Sequence, residues 1–263
     1  METEHVSYIG VGLMSGTSCD GIDLCRVKFT TDPSTDTWKH QVLEAVTIPY
    51  DASWKHRLTH LQDLSAYDVI KLHVEYGHLL GQALKEFIGD KHVDFVSSHG
   101  HTVFHRPEEG VTFQMGDGET MPTYLQQPLV TSLRNKDVAL GGQGAPIVPF
   151  GEKFLYNNFD VCVNFGGICN VSVDSLGFDV APCNMVLNEV AHSHDNRCAF
   201  DQDGVLARSG VVLPSLLQEL NSLEFYSQPP PKSLAREWYE REIQPILQKV
   251  FITPAITYWN SNI

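Results

Sequence analysis

Apolar and small residues alternate over Tyr8-Ile-Gly-Val-Gly-Leu-Met14, the period-two pattern of a β-strand. A polar, glycine-rich stretch follows, Ser15-Gly-Thr-Ser-Cys-Asp-Gly21, and Ile22 to Phe29 predicts a second strand, so the chain opens as a hairpin with an enlarged turn. Residues 31–37 predict a loop, and Gln41 to Ile48 a third strand. The period then changes. Val69, Leu72, Tyr76, Leu79, Leu80, Ala83 and Phe87 recur at helical spacing behind Ser65, a fitting N-cap, with Asp68 in the first turn. Val93 to Ser97 predicts a short buried strand, Ser98 to Pro107 a loop, and Phe113 to Gly118 a strand running into an Asp-Gly turn.

Asp160-Val-Cys-Val-Asn-Phe-Gly-Gly-Ile-Cys-Asn-Val-Ser-Val173 repeats the opening theme of strand, glycine turn and strand. Two such hairpins suggest a duplicated two-domain architecture. Gln228-Pro-Pro-Pro-Lys232 predicts a stiff linker. Leu234 to Val250 predicts a helix with Arg236–Glu240 and Glu237–Arg241 pairs, kinked or divided at Pro245.

At 263 residues the chain fits one large domain or two modest ones, and 42% hydrophobic content is enough to bury a core. A formal net charge of −14 argues against nucleic acid and anionic membranes as partners, since both need a basic surface. No apolar run reaches membrane-spanning length and Met-Glu-Thr-Glu-His has no basic leader, so a cytoplasmic protein is expected. The six cysteines form no Cys-x-x-Cys pair and are expected to be reduced, small buried hydrophobes.

Four clusters carry candidate chemistry. The 15–23 turn offers backbone N–H groups and the hydroxyls of Ser15, Thr17 and Ser18 to a phosphate, while Asp20 and Asp23 suit Mg²⁺-bound water. The same glycines also suit a plain hairpin turn. Neither the dinucleotide fingerprint nor the P-loop is complete here, because Ile22 and Asp23 replace the P-loop Lys-Ser/Thr. Asn135 to Pro146 packs three glycines into four residues, as backbone wrapped around a ligand would; Asp137 within it is either a general base or a cap. His99, His101 and His105 are spaced for a metal, for polar contacts to a sugar or phosphate, or for nothing beyond a loop. Asp117 and Gly118 are most simply a tight turn. Gly177 to Asn184 ends a strand and opens a helix, which is either an anion site or an ordinary junction with Asn184 as N-cap.

Taken in order, these clusters resemble the anhydro-N-acetylmuramic acid kinase family. The resemblance rests on residues 12–23, 99–107, 114–118, 137–149, 164–171, 177–184 and Lys-Ser-Leu-Ala-Arg-Glu-Trp at 232–238. It implies an α/β, actin-like ATPase (ribonuclease H-like) fold of two domains, 1–155 and 156–263, around an interdomain cleft. It implies ATP and Mg²⁺, with 1,6-anhydro-N-acetylmuramic acid as substrate and N-acetylmuramic acid 6-phosphate as product, in cell-wall recycling. A homodimer is compatible with it. Under this resemblance Asp137 is the general base that deprotonates the attacking water. Gly16, Thr17, Ser18, Asp20, Gly21 and Asp23 hold the phosphates and Mg²⁺, the metal falling to Asp20 and Asp23. Gly166, Gly167, Asp179 and Asn184 approach the nucleotide, and His101, Thr102, Gly116 and Asp117 line the sugar side.

Departures from the family pattern are expected to matter. Ser132-Leu-Arg134 stands where Asp-Phe-Arg is common, and Ala181 where glycine is common. Family members continue for roughly a hundred residues more, so the second domain is expected to be incomplete. The uncharged run 252–263 fits that expectation. Two readings follow: an active sugar kinase, or a truncated, inactive remnant that binds sugar or phosphate weakly. A chaperone-like ATPase lacks support because no peptide-binding region is recognisable.

Overall fold

The computed structural model describes residues 6–16, 19, 21–32, 37–61, 64–173, 176–234 and 236–252. It divides into two compact units, meeting in sequence at Tyr156 and Asn157.

The first unit is built on a six-stranded sheet. Strands β1 (Val6–Ser15), β2 (Gly21–Asp32) and β3 (Thr37–Pro49) form an antiparallel meander. Helix α1 (Ala52–Thr59) and the long helix α2 (Ala66–Ile88) follow, and the chain re-enters as β4 (Phe95–Arg106), parallel to β1. Strand β5 (Val111–Met115) turns back along the C-terminal half of β4, while β6 (Leu129–Val130) lies parallel to its N-terminal half. The order is β3-β2-β1-β4-β5, with β6 also beside β4. Two short helices close the unit, α3 (Asn135–Ala139) and α4 (Val148–Leu155).

Helix α2 forms where the apolar period predicts it. The Ser65 side chain accepts from the Asp68 N–H, and Asp68 favours the positive end of the helix dipole. Leu72, Tyr76, Leu80, Leu84 and Ile88 recur every fourth residue and are buried, so they form one stripe. That stripe belongs to one core with Val11, Leu13, Ile22, Leu24, Val96 and Met115 of the sheet. Gly77 lets α2 approach the turn after β5 closely: a Cβ there would sit 3.0 Å from the Asp117 nitrogen.

Two features depart from the sequence expectation. Helix α1 has only Trp54 and Leu58 as an apolar pair, too little to show a period, yet Asp51 caps it by accepting from the Trp54 N–H at 2.7 Å. The segment 98–107 expected as a loop is mostly strand: β4 runs on to Arg106. Its polar residues do not look like a core strand, but β4 lies between β1 and β5, so Ser98, His99, Gly100 and His101 are all buried.

The second unit opens on an antiparallel meander of β7 (Val161–Phe165), β8 (Ile168–Val173) and β9 (Leu176–Pro182). Helices follow: α5 (Asn184–His194), α6 (Val205–Ser209), α7 (Pro214–Asn221), α8 (Glu224–Ser227), α9 (Arg236–Trp238) and α10 (Gln244–Ile252). A π-helical turn, Tyr239–Ile243, separates α9 from α10, placing the expected division just before Pro245. Arg236 pairs with Glu240 at 2.8 Å, whereas Arg241 reaches Glu242; the Glu237 side chain lies outside the described residues, as do residues 253–263. None of the six cysteines is in a disulfide; Cys19 and Cys169 are buried as expected, whereas Cys25, Cys162, Cys183 and Cys198 are only partly buried. Among the described residues no helix is long and apolar enough to cross a membrane.

Truncating Leu80, fully buried on α2, should cost about 2–5 kcal/mol of unfolding free energy. Tyr67→Ala on the exposed side of the same helix should stay within about 0.5 kcal/mol of the parent. Urea unfolding of the two variants checks the stripe.

Candidate active site

The site grows from the C-terminal end of β1 and the middle of β4. Ser15 closes β1 opposite His101 of β4, and both are buried. Burial of their polar atoms is tolerated because four side chains share hydrogen bonds. The Tyr76 hydroxyl donates to Ser15 Oγ at 2.8 Å. Tyr50 Oη lies 2.5 Å from Tyr76 Oη and 2.7 Å from Ser15 Oγ, and His101 Nδ1 lies 3.2 Å from Ser15 Oγ. Each hydroxyl has one proton to give. Tyr76 spends its proton on Ser15, so Tyr50 donates to Tyr76 and Ser15 donates to Tyr50. His101 must then donate from Nδ1, which leaves Nε2 as an acceptor. Burial, with His99 adding a smaller effect, holds the His101 imidazole neutral, its pKa pushed down to about 4. Burial also raises the Tyr76 phenol, so its proton stays on.

A second chain of contacts starts two residues away on β4. His99 Nδ1 donates to the Gly100 carbonyl at 3.0 Å and its Nε2 accepts from Arg134 Nε at 2.9 Å. Arg134 Nη1 also donates to the Gly144 carbonyl at 2.9 Å. The Gly144 N–H in turn donates to Asp137 Oδ2 at 2.6 Å. The glycine-rich loop thus folds around the Asp137 carboxylate. A Cβ on Gly142 would collide with that carboxylate, and one on Gly144, at φ +65°, would lie 2.6 Å from Val138 Cγ2. Asp137 stands in the first turn of α3, is exposed, and caps no helix. Its Oδ1 has no protein hydrogen bond among the described residues, so it can accept from a water or hydroxyl. Asp137 is connected in this way through Gly144, Arg134 and the strand segment His99–His101 to Ser15 and the opening turn.

The other residues expected here divide. Gly116 N–H donates to His73 Nδ1 at 3.0 Å, and Asp117 Oδ2 accepts from the Thr120 N–H at 2.9 Å and from its hydroxyl. Asp117 Oδ1 lies 3.6 Å from His73 Nε2. Both residues therefore fasten a turn to α2, the simpler of the roles the sequence allows. Thr102 pairs with Gln114 beside an irregularity of the β4–β5 ladder. Of the opening turn, Gly16 accepts from the Cys19 N–H at 3.1 Å, and Gly21 pairs with Pro49 so closely that a Cβ would meet the Ile48 carbonyl at 2.5 Å. Asp23 is exposed and accepts from Thr47 Oγ1 at 2.5 Å. Thr17, Ser18 and Asp20 lie outside the described residues. Among those described, no three His, Cys, Asp or Glu side chains gather as a metal centre would require.

In the second unit the Gly166–Gly167 turn and the start of α5 fasten to each other. Asn184 N–H donates to the Gly166 carbonyl at 3.1 Å, and the N–H groups of Cys183 and Met185 donate to the Gly167 carbonyl at 2.9 and 3.1 Å. The N-cap is Cys183 and not Asn184, whose side-chain amide instead donates to the Phe165 carbonyl at 3.1 Å. The donors that an anion would use at this helix start are thus already spent. Asp179 Oδ2 accepts from the Leu234 N–H at 2.7 Å and holds the 232–234 segment along β9. Burial raises the Asp179 carboxyl, partly offset by that bond.

Sequence reading alone misses Tyr50, Tyr76 and Arg134 as site residues. Tyr76 sits in the apolar stripe, where its ring explains it and its hydroxyl goes unnoticed. Arg134 stands three residues before Asp137, which is the signal that could have found it.

A sheet ordered β3-β2-β1-β4, with β6 parallel beside β4 and a glycine turn at the opening hairpin, is the arrangement of the actin-like ATPase fold. A family model for anhydro-N-acetylmuramic acid kinase matches residues 7–251. The chain is 32% identical to the anhydro-N-acetylmuramic acid kinase of Acinetobacter baylyi, over 88% of this chain and 64% of the relative. It is 35% identical to that of Caldanaerobacter subterraneus (91% and 67%) and 36% identical to that of Shewanella sediminis (88% and 66%). The chain belongs to the anhydro-N-acetylmuramic acid kinase family and spans about two thirds of the length of these curated relatives.

The depressed His101 pKa sets a pH dependence. The unfolded imidazole titrates near 6.5 and the folded one near 4, so below 6.5 the unfolded state binds more protons. Stability from this group is complete above 6.5, declines as pH falls, and is lost by about 4, a drop of about 3 kcal/mol. Denaturant unfolding at pH 7.5, 5.5 and 4.5 should show that decline, and His101→Asn should flatten it. An unchanged slope in the variant would assign the decline to other groups.

Proposed function

We propose that this chain carries the catalytic base of an ATP-dependent sugar kinase that hydrolytically opens 1,6-anhydro-N-acetylmuramic acid and phosphorylates its 6-oxygen. The observation that carries the reading is the Asp137 carboxylate, with one oxygen fixed by Gly144 and the other available. Asp137 Oδ1 accepts the proton of a water whose oxygen attacks the anomeric carbon. The bond from that carbon to the bridging oxygen breaks, and the freed 6-oxygen is the phosphoryl acceptor. Transfer to a free hydroxyl would not need this water, which is why a base beside the ring is the part to look for.

His101 Nε2 is suited to accept from a sugar hydroxyl, and Thr102 to offer its own. Gly116 and Asp117 support the reading by shaping the turn beneath β4. ATP with Mg²⁺ supplies the phosphoryl group when bound. The residues fit a metal held through water: Asp23 is an exposed carboxylate outside any ion pair among the described residues, at the mouth of the glycine turn with Asp20 beside it in sequence. Gly16, Thr17, Ser18 and Gly21 would face the phosphates. Gly166 and Gly167 would approach the nucleotide by their own backbone, with Asp179 and Asn184 holding that turn and its neighbours. Six cysteines outside any disulfide suit the reducing cytoplasm.

Incubated with ATP, Mg²⁺ and the anhydro sugar, the protein should yield N-acetylmuramic acid 6-phosphate, and Asp137→Asn should slow it by about 10²–10⁴-fold. In ¹⁸O-water the label should enter at the anomeric carbon. Absence of the sugar phosphate, or label found in phosphate instead, would remove the reading.

A further inference from the structure

Arg134 is half-buried, and its surroundings lower the stability of its charge because burial is uncompensated. No carboxylate oxygen among the described residues lies within 4.0 Å of it. Its two protein partners are neutral: the lone pair of His99 Nε2 and the Gly144 carbonyl. A half-buried guanidinium without a counter-charge is costly to keep. Five N–H groups less the two spent leave three, one on Nη1 and two on Nη2, with no protein acceptor among the described residues. Both contacts fix the plane of the fork, so those free donors are oriented before any ligand arrives.

The position of the fork selects the ligand. Gly144 accepts from Arg134 and donates to Asp137, so an anion site on Arg134 is tied through a single residue to the base. His99 ties it equally to the strand that carries His101 and Thr102. We propose that Arg134 binds the carboxylate of the substrate, the lactyl acid that separates a muramic acid from its neutral amino-sugar parent. The proposal rests on the sugar-kinase reading for the identity of that acid and on Arg134 alone for the anion site. Arg134 thereby selects acidic over neutral anhydro sugars, while its bond to Gly144 keeps the Asp137 loop in place.

Calorimetric titration of the protein with 1,6-anhydro-N-acetylmuramic acid and with uncharged 1,6-anhydro-N-acetylglucosamine tests it. The acid should bind more tightly. Arg134→Gln should weaken the acid by about 10–100-fold and the neutral sugar by less than about 3-fold. Equal losses for both sugars would mean that Arg134 acts only through the loop, and would overturn the proposal. A second measurement needs neither sugar nor a variant that folds. D-Lactate added to the ¹⁵N-arginine-labelled protein should shift the Arg134 Nε–H resonance saturably, and glycerol should not. A lactate shift without binding of either sugar would sink the sugar reading and leave the anion site standing; no lactate shift would overturn the anion site.

Discussion

The hydrogen bond from Tyr76 to Ser15 is the constraint on which the first unit turns. It joins the middle of α2 to the last residue of β1, inside a core that excludes water. Leu72, Leu80 and Leu84 would tolerate a small slide of the helix, since apolar contacts carry little direction. The hydroxyls would not. A shift that broke the Tyr76–Ser15–Tyr50 triangle would leave several buried polar atoms unpaired at once, each worth about 1–3 kcal/mol. Hydrophobic burial therefore supplies the cohesion and this triangle supplies the register. Because Ser15 leads directly into Gly16, the register of α2 becomes the starting position of the glycine turn.

His101 carries that order across to β4. Donating from Nδ1, it turns its acceptor nitrogen away from the triangle, and remains uncharged because burial and, to a smaller extent, neighbouring His99 both disfavour its charge. His99, two residues before it on the same strand, uses its own acceptor on Arg134. The alternation of a strand thus places two neutral imidazoles side by side with different tasks, one fixing the opening turn and the other a cation. Neither task needs a metal. The two-residue spacing of His99 and His101, which the sequence presents as part of a candidate ligand set, delivers one imidazole to Arg134 and the other to Ser15.

Much of this is legible in the sequence, for reasons specific to each element. The β1–β2 hairpin and α2 announce themselves because each buries one face only, which leaves a period in the sequence, and β3 shows through its β-branched residues although none of them is fully buried. Strand β4 hides because it is buried over Ser98–His101 and fills that space with polar residues, of which His99 bonds to Arg134 and His101 to Ser15 while Ser98 Oγ has no partner among the described residues. Its polarity looks like a loop until the partners from β1, α2 and the 134–144 loop are known. The Asp137 cluster was visible through its glycines, but their reason was not. Gly142 and Gly144 are there because the loop must touch the carboxylate it holds. Asn184 shows the opposite error: a residue type favoured as a cap stands one place inside the helix, its amide drawn away by the Phe165 carbonyl.

The chain carries a net charge of −14, yet its proposed ligands are anions. A field of that sign opposes their approach, and screening at physiological salt limits the opposition to about 8 Å. Binding must then come from groups close enough to act inside that distance and oriented without cost. Arg134 meets both conditions, since two neutral acceptors hold it and none of its charge is spent on a carboxylate. Pairing it with an acid would make the folded protein more stable and the site weaker. The same trade appears in Asp137, whose one fixed oxygen gives it direction while the other stays available. In both residues the protein satisfies enough of the polar group to position it and leaves the remainder for the ligand.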